Sequence, residues 1–300
     1  MKRQVAVIIL ALMTLSCMSA RYWPGGKQIH HGAGDFIFTD RQGNPNKPIR
    51  VWYYQPSGFS CDTPVLFVMH GGKRDAQRDR DEWIQYAERY GFLLIAPEFS
   101  HKYYPGKGEY NEGNIFDKLE NPTPENDRAF TVIEHLFDFV KEATQNQSSS
   151  YNLYGNSAGG QFIQRMILFK ADARIRMAIA ANPGVYVFPV YSAGKYPYGI
   201  RNSGVTPEDL RAAFIKNFIL LLGEKDLNDA DANLSRSPET LEQGNNGFER
   251  GNNFYDSAKN EASRLGMTFN WKLTTVPGAV HRDAQLAETA ARLLFLKGSD

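Results

Sequence analysis

The sequence predicts an α/β fold, a mostly parallel eight-stranded sheet with helices on both faces and loop insertions over its functional edge. Two observations predict it. Short apolar runs of strand character alternate along the chain with segments of helical period, and strands alternating with helices form a largely parallel sheet because the crossover helices cover its faces. The central runs, such as residues 65–69, are continuously apolar, as strands buried on both faces are.

In chain order, residues 35–39 and 49–54, separated by the turn-rich Gln42-Gly43-Asn44-Pro45, read as an antiparallel hairpin. The alternation then begins with a strand at 65–69, a helix at 79–90, a strand at 92–96 and a long helix at 125–143. Phe130, Ile133, Phe137 and Val140 line one face of that helix. A short strand at 151–154, a helix at 158–170 and a strand at 177–181 follow. Strands at 218–222 and 269–276 and helices at about 253–265 and 282–296 complete the pattern. Three stretches break the rhythm. Residues 97–124 are rich in Tyr, Gly, Asn and Pro, residues 183–207 carry Tyr186, Phe188, Tyr191, Tyr196 and Tyr198, and residues 227–250 are polar and rich in Asn and Gly. Loops of this length in a compact domain are usually functional or disordered, and the aromatic content of the first two argues against disorder.

With 300 residues, 42% of them hydrophobic and 22% charged, the chain is long enough for one domain with a substantial core. No repeat or linker divides it, so residues 21–300 are read as a single domain. A formal net charge of +1 with no basic run gives no footprint for nucleic acid, which leaves a small molecule or a neutral polymer as the expected partner. Residues 1–20 read as a secretory leader. Lys2 and Arg3 precede an apolar run from residue 5 to 15 that is too short to span a bilayer. Cleavage after Ala20 leaves Arg21 at the new terminus, although Met18 is large for its position. The alternative is lipid attachment at Cys17, where Thr14-Leu15-Ser16 departs from the usual leucine three residues ahead. Either route predicts a periplasmic or extracellular protein with no stable membrane span. With Cys17 outside the domain, Cys61 gives no expected intrachain disulfide, and the core must hold by packing.

Gly155-Asn156-Ser157-Ala158-Gly159 lies between a predicted strand and a predicted helix. The string alone arises by chance in roughly one chain in ten of this length. Its context carries the weight, because a sharp strand-to-helix turn needs small residues on either side of an exposed serine. A serine hydroxyl is a weak nucleophile without a base in reach. His281 follows the last predicted strand, whereas His30 and His31 lie on the N-terminal approach, His101 in a loop and His135 on the expected surface of a helix. Asp226, directly past the strand at 218–222, is the expected acid that orients the base, with Asp229 and Asp231 in the same loop as alternatives. That loop lacks the spacing, glycine and terminal glutamate of a calcium-binding EF-hand. His70-Gly71-Gly72 follows the strand at 65–69, and the backbone N–H groups of Gly72 and Ala158 are placed to receive a developing oxyanion. No metal and no cofactor is implied. Tyr186, Tyr191 and Tyr198 are the expected wall of a substrate pocket, set against the simpler reading that they only pack the insertion onto the body.

From about residue 35 to the C-terminus, these parts in this order resemble the α/β-hydrolase family. His70-Gly71-Gly72 with Gly155-Asn156-Ser157-Ala158-Gly159-Gly160 is similar to carboxylesterases and to secreted bacterial hydrolases related to polyhydroxybutyrate depolymerases. Lys73 stands where esterases of the hormone-sensitive-lipase type have a third glycine. Asp226-Leu227-Asn228-Asp229 resembles their acidic loop and supports Asp226 as the acid. The resemblance implies a serine hydrolase that cleaves a carboxylic ester through an acyl-enzyme. An amidase, a peptidase or a depolymerase of a polyester or polyamide would use the same residues, and an inactive binding protein of the same fold would be expected to lack one of them.

Overall fold

The computed structural model describes residues 29–227, 234–282 and 284–296. The expected leader, Cys17, Asp229 and Asp231 lie outside these residues. The sheet has eight strands in the order β1-β2-β4-β3-β5-β6-β7-β8. The hairpin of β1 (Gly32–Phe38) and β2 (Ile49–Gln55) is antiparallel and joins β4 (Leu93–Glu98) antiparallel through β2. From β4 onward the pairing is parallel, through β3 (Val65–Met69), β5 (Tyr151–Asn156), β6 (Ile175–Ala181), β7 (Phe218–Gly223) and β8 (Lys272–Val276).

Two cores form because side chains alternate across a strand. Val65, Phe67 and Met69 of β3 and Phe218, Leu220 and Leu222 of β7 point to one face. There they meet α2 (Ala129–Thr144), α3 (Ala158–Phe169), α4 (Pro207–Phe214) and α6 (Gly247–Arg264). Leu66, Val68, Ile219 and Leu221 point to the other face and meet α1 (Ala76–Tyr90) and α7 (Ala284–Phe295). Both faces of the sheet are thus covered, and among the described residues no helix is long and apolar enough to cross a membrane.

Departures from expectation lie at element ends and in two short helices. The helix expected at 125–143 splits at Arg128, whose extended backbone separates a 3-10 turn (Glu125–Asp127) from α2. Two helices escape the hydrophobic pattern. The helix α4 begins at a capping box in which Thr206 and Asp209 bond each other's backbone N–H, and α5 (Pro238–Gln243) starts with a proline after Ser237. The helix α6 begins at Gly247, capped by Asn246, six residues ahead of expectation. The strand β8 is shorter than expected because Phe269 and Trp271 leave the sheet to pack on Phe214, and Trp271 donates to the carbonyl of Ala213.

The two aromatic insertions are ordered parts of the body. Phe162 of α3 is fully buried among Phe99, Tyr110 and Phe130, an enclosure that stabilises by about 2–3 kcal/mol and fixes residues 97–124 on the helix behind Ser157. The insertions also hold each other, since the Tyr196 hydroxyl donates to the Glu112 carbonyl, Phe116 packs on the Tyr196 ring and Lys195 pairs with Glu120.

Candidate active site

The turn between β5 and α3 dictates where Ser157 stands. Its φ of 57° and ψ of −115° are strained for a non-glycine residue. Close packing over-determines this conformation. A Cβ on Gly155 would lie 2.5 Å from the Gly159 carbonyl carbon, and one on Gly159 would lie 2.1 Å from the Met69 oxygen. Only glycine lets the first turn of α3 press against the end of β3, and the Ser157 N–H is tied to the Ala181 carbonyl at 3.0 Å.

Ser157, His281 and Asp226 come together as one hydrogen-bonded chain. His281 Nε2 lies 3.0 Å from Ser157 Oγ, and His281 Nδ1 lies 3.0 Å from Asp226 Oδ2. With Asp226 as a carboxylate, Nδ1–H donates to it and Nε2 accepts the serine proton, so the partners fix the tautomer. Asp226 is buried while the His281 side chain is 28% exposed, which leaves the serine end of the chain open to a substrate.

The surroundings of this chain are built from residues that hydrophobic periodicity does not single out. The Asp226 carbonyl accepts the Phe248 N–H, and its carboxylate lies against Gly247, the first residue of α6. The positive end of that helix favours the carboxylate's charge. Asn182, in the left-handed region with φ 40°, follows β6. Its amide nitrogen donates to the carbonyls of Val280 and His281 at 3.1 and 3.0 Å, and its oxygen accepts the Gly223 N–H at 2.8 Å. Asn156 also donates to the His281 carbonyl. The loop carrying His281 is therefore fastened to the ends of three neighbouring strands. Asn182 is readable in retrospect as an asparagine that tolerates a left-handed backbone directly past a strand.

Gly72 is exposed on the loop after β3, and Ala158 is the first residue of α3, where an N–H has no partner within its helix. A Cβ on Gly159 would lie 3.1 Å from the His70 carbonyl oxygen and one on Gly71 3.8 Å from the Asn156 oxygen, so the His70-Gly71-Gly72 loop runs beside the serine turn. His70 anchors that loop. Its Nε2 accepts the Phe99 N–H and its Nδ1 donates to the Gly71 carbonyl, both at 3.0 Å. Complete burial, helped by the nearby Arg74 charge, lowers its pKa to about 3, so the ring is neutral. The Tyr110 ring packs on His70 and its hydroxyl donates to the His70 carbonyl, while Arg74 donates to the carbonyls of Phe99, Tyr104 and Gly106.

The expected aromatic wall needs correction at Tyr186. Tyr186 is completely buried and stacks on Phe254 behind Asp226, so it packs the core and meets no substrate. Tyr191 is half-buried with its hydroxyl on the Val205 carbonyl, which ties the insertion to itself. Tyr198 is half-buried with its hydroxyl 3.4 Å from Ser237 Oγ. His135 differs from expectation too, being largely buried and bonded to Asp40 at 2.8 Å. Side chains nearer the serine were not anticipated. Gln161, one turn into α3 and half-buried, accepts from Asn111 at 3.0 Å and from the buried Arg165 at 3.4 Å. Among the described residues no cluster of His, Cys, Asp and Glu has the makings of a metal site.

Comparison with known proteins finds no matching family model and no matching curated protein. Solved structures do match. Poly(aspartic acid) hydrolase-1 from Sphingomonas sp. KT-1 is 38% identical with a TM-score of 0.85, and the match covers 88% of this chain and 99% of that one. The poly(3-hydroxybutyrate) depolymerase from Bordetella parapertussis is 30% identical with a TM-score of 0.84, over 89% of this chain and 90% of that one. An S-formylglutathione hydrolase from Agrobacterium tumefaciens, 14% identical with a TM-score of 0.56 over 89% and 96% of the two chains, shares the fold.

Proposed function

The chain belongs to the α/β-hydrolase family of serine hydrolases, and on that premise we propose that it cleaves a carboxylic ester, with Ser157 as nucleophile, His281 as base and Asp226 orienting the base. The observation that carries this reading is the pair of 3.0 Å hydrogen bonds through His281. Ser157 Oγ attacks the carbonyl carbon as its proton passes to His281 Nε2, and Asp226 stabilises the imidazolium. The oxyanion is received by the N–H groups of Gly72 and Ala158, where one donor is worth about 3–4 kcal/mol in a well-studied case. Collapse of the intermediate expels the alcohol with the proton from His281. Water, deprotonated by His281, then releases the acid and restores Ser157.

A second reading concerns the size of the substrate. Two neighbours of at least 30% identity are named for polymers, one a polyamide and one a polyester. Both linkages present the same carbonyl to Ser157, so a polymer carrying either one fits the proposed chemistry. Export also fits, since a polymer too large to enter a cell must be cut outside it. Lys2, Arg3 and the apolar residues 5–15 support secretion to the periplasm or beyond, with lipid attachment at Cys17 as the alternative end of the leader.

The test combines labelling by a fluorophosphonate with hydrolysis of p-nitrophenyl esters of rising chain length, poly(3-hydroxybutyrate) and poly(aspartic acid). The ester reading expects labelling and ester turnover. Polymer cleavage without turnover of any simple ester would favour the second reading, and absence of both labelling and turnover would reject both.

A further inference from the structure

A half-buried carboxylate outside the proposed machinery stands beside two of its loops. Asp79 sits in the first turn of α1 with its side chain 18% exposed. Arg282, directly after His281, places Nη2 3.2 Å from Asp79 Oδ1. The backbone N–H of Gly71, directly before Gly72, is near enough to favour the charged form of this carboxylate. One side chain thus bonds the residue after the proposed base and stands beside the residue before the proposed oxyanion donor. Asn156 and Asn182 hold the His281 loop through its backbone carbonyls, while Asp79 holds it through the Arg282 side chain.

We propose that Asp79 is a positioning residue that keeps the His281 loop and the Gly72 loop at their working separation, an inference that rests on the proposed roles of those residues. Its surroundings make it costly as a structural device. Burial raises its pKa to about 6, Glu82 and Asp75 on α1 add to the rise, and Arg282 and the Gly71 N–H oppose it. The Asp79 charge also adds to the upward shift of the Tyr154 and Tyr110 phenols, which burial keeps neutral. Arg282 divides its charge, lying 3.5 Å from Glu82, which in turn pairs with Arg78. Because the folded pKa is above the unfolded one, the stability this group contributes is full below about pH 4 and is lost as the pH rises through about 6. At neutral pH its charge costs stability, and the return is loop geometry.

The test measures kcat, KM, Tm and pH profiles of wild type, Asp79→Asn, Arg282→Gln and the double variant on a p-nitrophenyl ester the wild type hydrolyses. Asp79→Asn should lower kcat by about tenfold or more at pH 7.5 with KM nearly unchanged and Tm kept or raised, since a displacement near 1 Å costs up to about a hundredfold. Arg282→Gln leaves Asp79 with its acidic neighbours and no arginine, so the acid limb of kcat should move to higher pH. The double variant should lose that movement and resemble Asp79→Asn alone. Wild-type kcat in Asp79→Asn, a fall in kcat matched by a fall in Tm, or an unmoved acid limb in Arg282→Gln would each overturn the inference. Fluorophosphonate labelling of wild-type Ser157 separates the two levels. If it fails, the functional reading fails with the inference, and if it succeeds, these outcomes bear on Asp79 alone.

Discussion

Gly247→Ala adds one methyl group at the start of α6, and the geometry says where it goes. The new Cβ would lie 2.4 Å from Asp226 Oδ2, 2.9 Å from Cγ and 3.3 Å from Oδ1. Ordinary contact needs about 3.4 Å or more, so the carboxylate must retreat by about 1 Å. The bond from His281 Nδ1, already 3.0 Å long, then passes the limit of a hydrogen bond. Complete loss of the equivalent acid's function costs about 10⁴ in kcat in a serine protease. A displaced but still charged carboxylate should cost less, about 10² or 2.7 kcal/mol in the barrier. Stability should change little, because alanine favours the helix by up to about 1 kcal/mol while the contact with Asp226 opposes it. The assay is kcat and KM on a p-nitrophenyl ester together with Tm. A kcat within twofold of wild type at normal Tm would mean that the base does not depend on where Asp226 stands.

Asp226→Asn should lower kcat by orders of magnitude with a modest change in KM, because the amide cannot hold the imidazolium as a carboxylate does; near-normal kcat would move the role to another acid. His281→Ala should be as severe as Ser157→Ala, and the double variant no worse than either single, because residues acting as one unit do not add. His70→Gln should lower kcat through the oxyanion loop and also change the acid response. The His70 pKa is lowered to about 3, so its contribution to stability is present above about pH 6.5 and lost as the pH falls toward 3. Unfolding followed across that window should show a shallower loss in the variant, and identical slopes would count against a neutral, anchoring His70.

The parts legible in the sequence are those that one chemical need fixes at one place. The apolar period gave strands that lie in the sheet because their side chains alternate between two cores, as 65–69 and 218–222 do. Ser157 was legible because its turn demands glycines at 155 and 159, and His281 and Asp226 because each follows a strand in the order that brings it to the serine. The helices α4 and α5 were not, since short polar helices declare themselves by caps such as Thr206 and Pro238 more than by period. Gly247 and Asn182 act through contacts with residues far along the chain, which no local pattern announces. Tyr186 shows the converse. An aromatic residue in an insertion after a parallel strand suits a pocket wall and a buried packing role equally in sequence, and its total enclosure beside Phe254 decides for packing.

In the proposed reaction Ser157 is a nucleophile activated through His281. Labelling of the wild type with a fluorophosphonate, followed by peptide mapping of the adduct, tests it most directly. The expected result is one adduct, on Ser157, no labelling of Ser157→Ala at unchanged Tm, and labelling of His281→Ala slowed by at least about 10³-fold, the scale on which triad members act. An adduct on another residue, or a Ser157→Ala variant that labels as fast as the wild type, would contradict it.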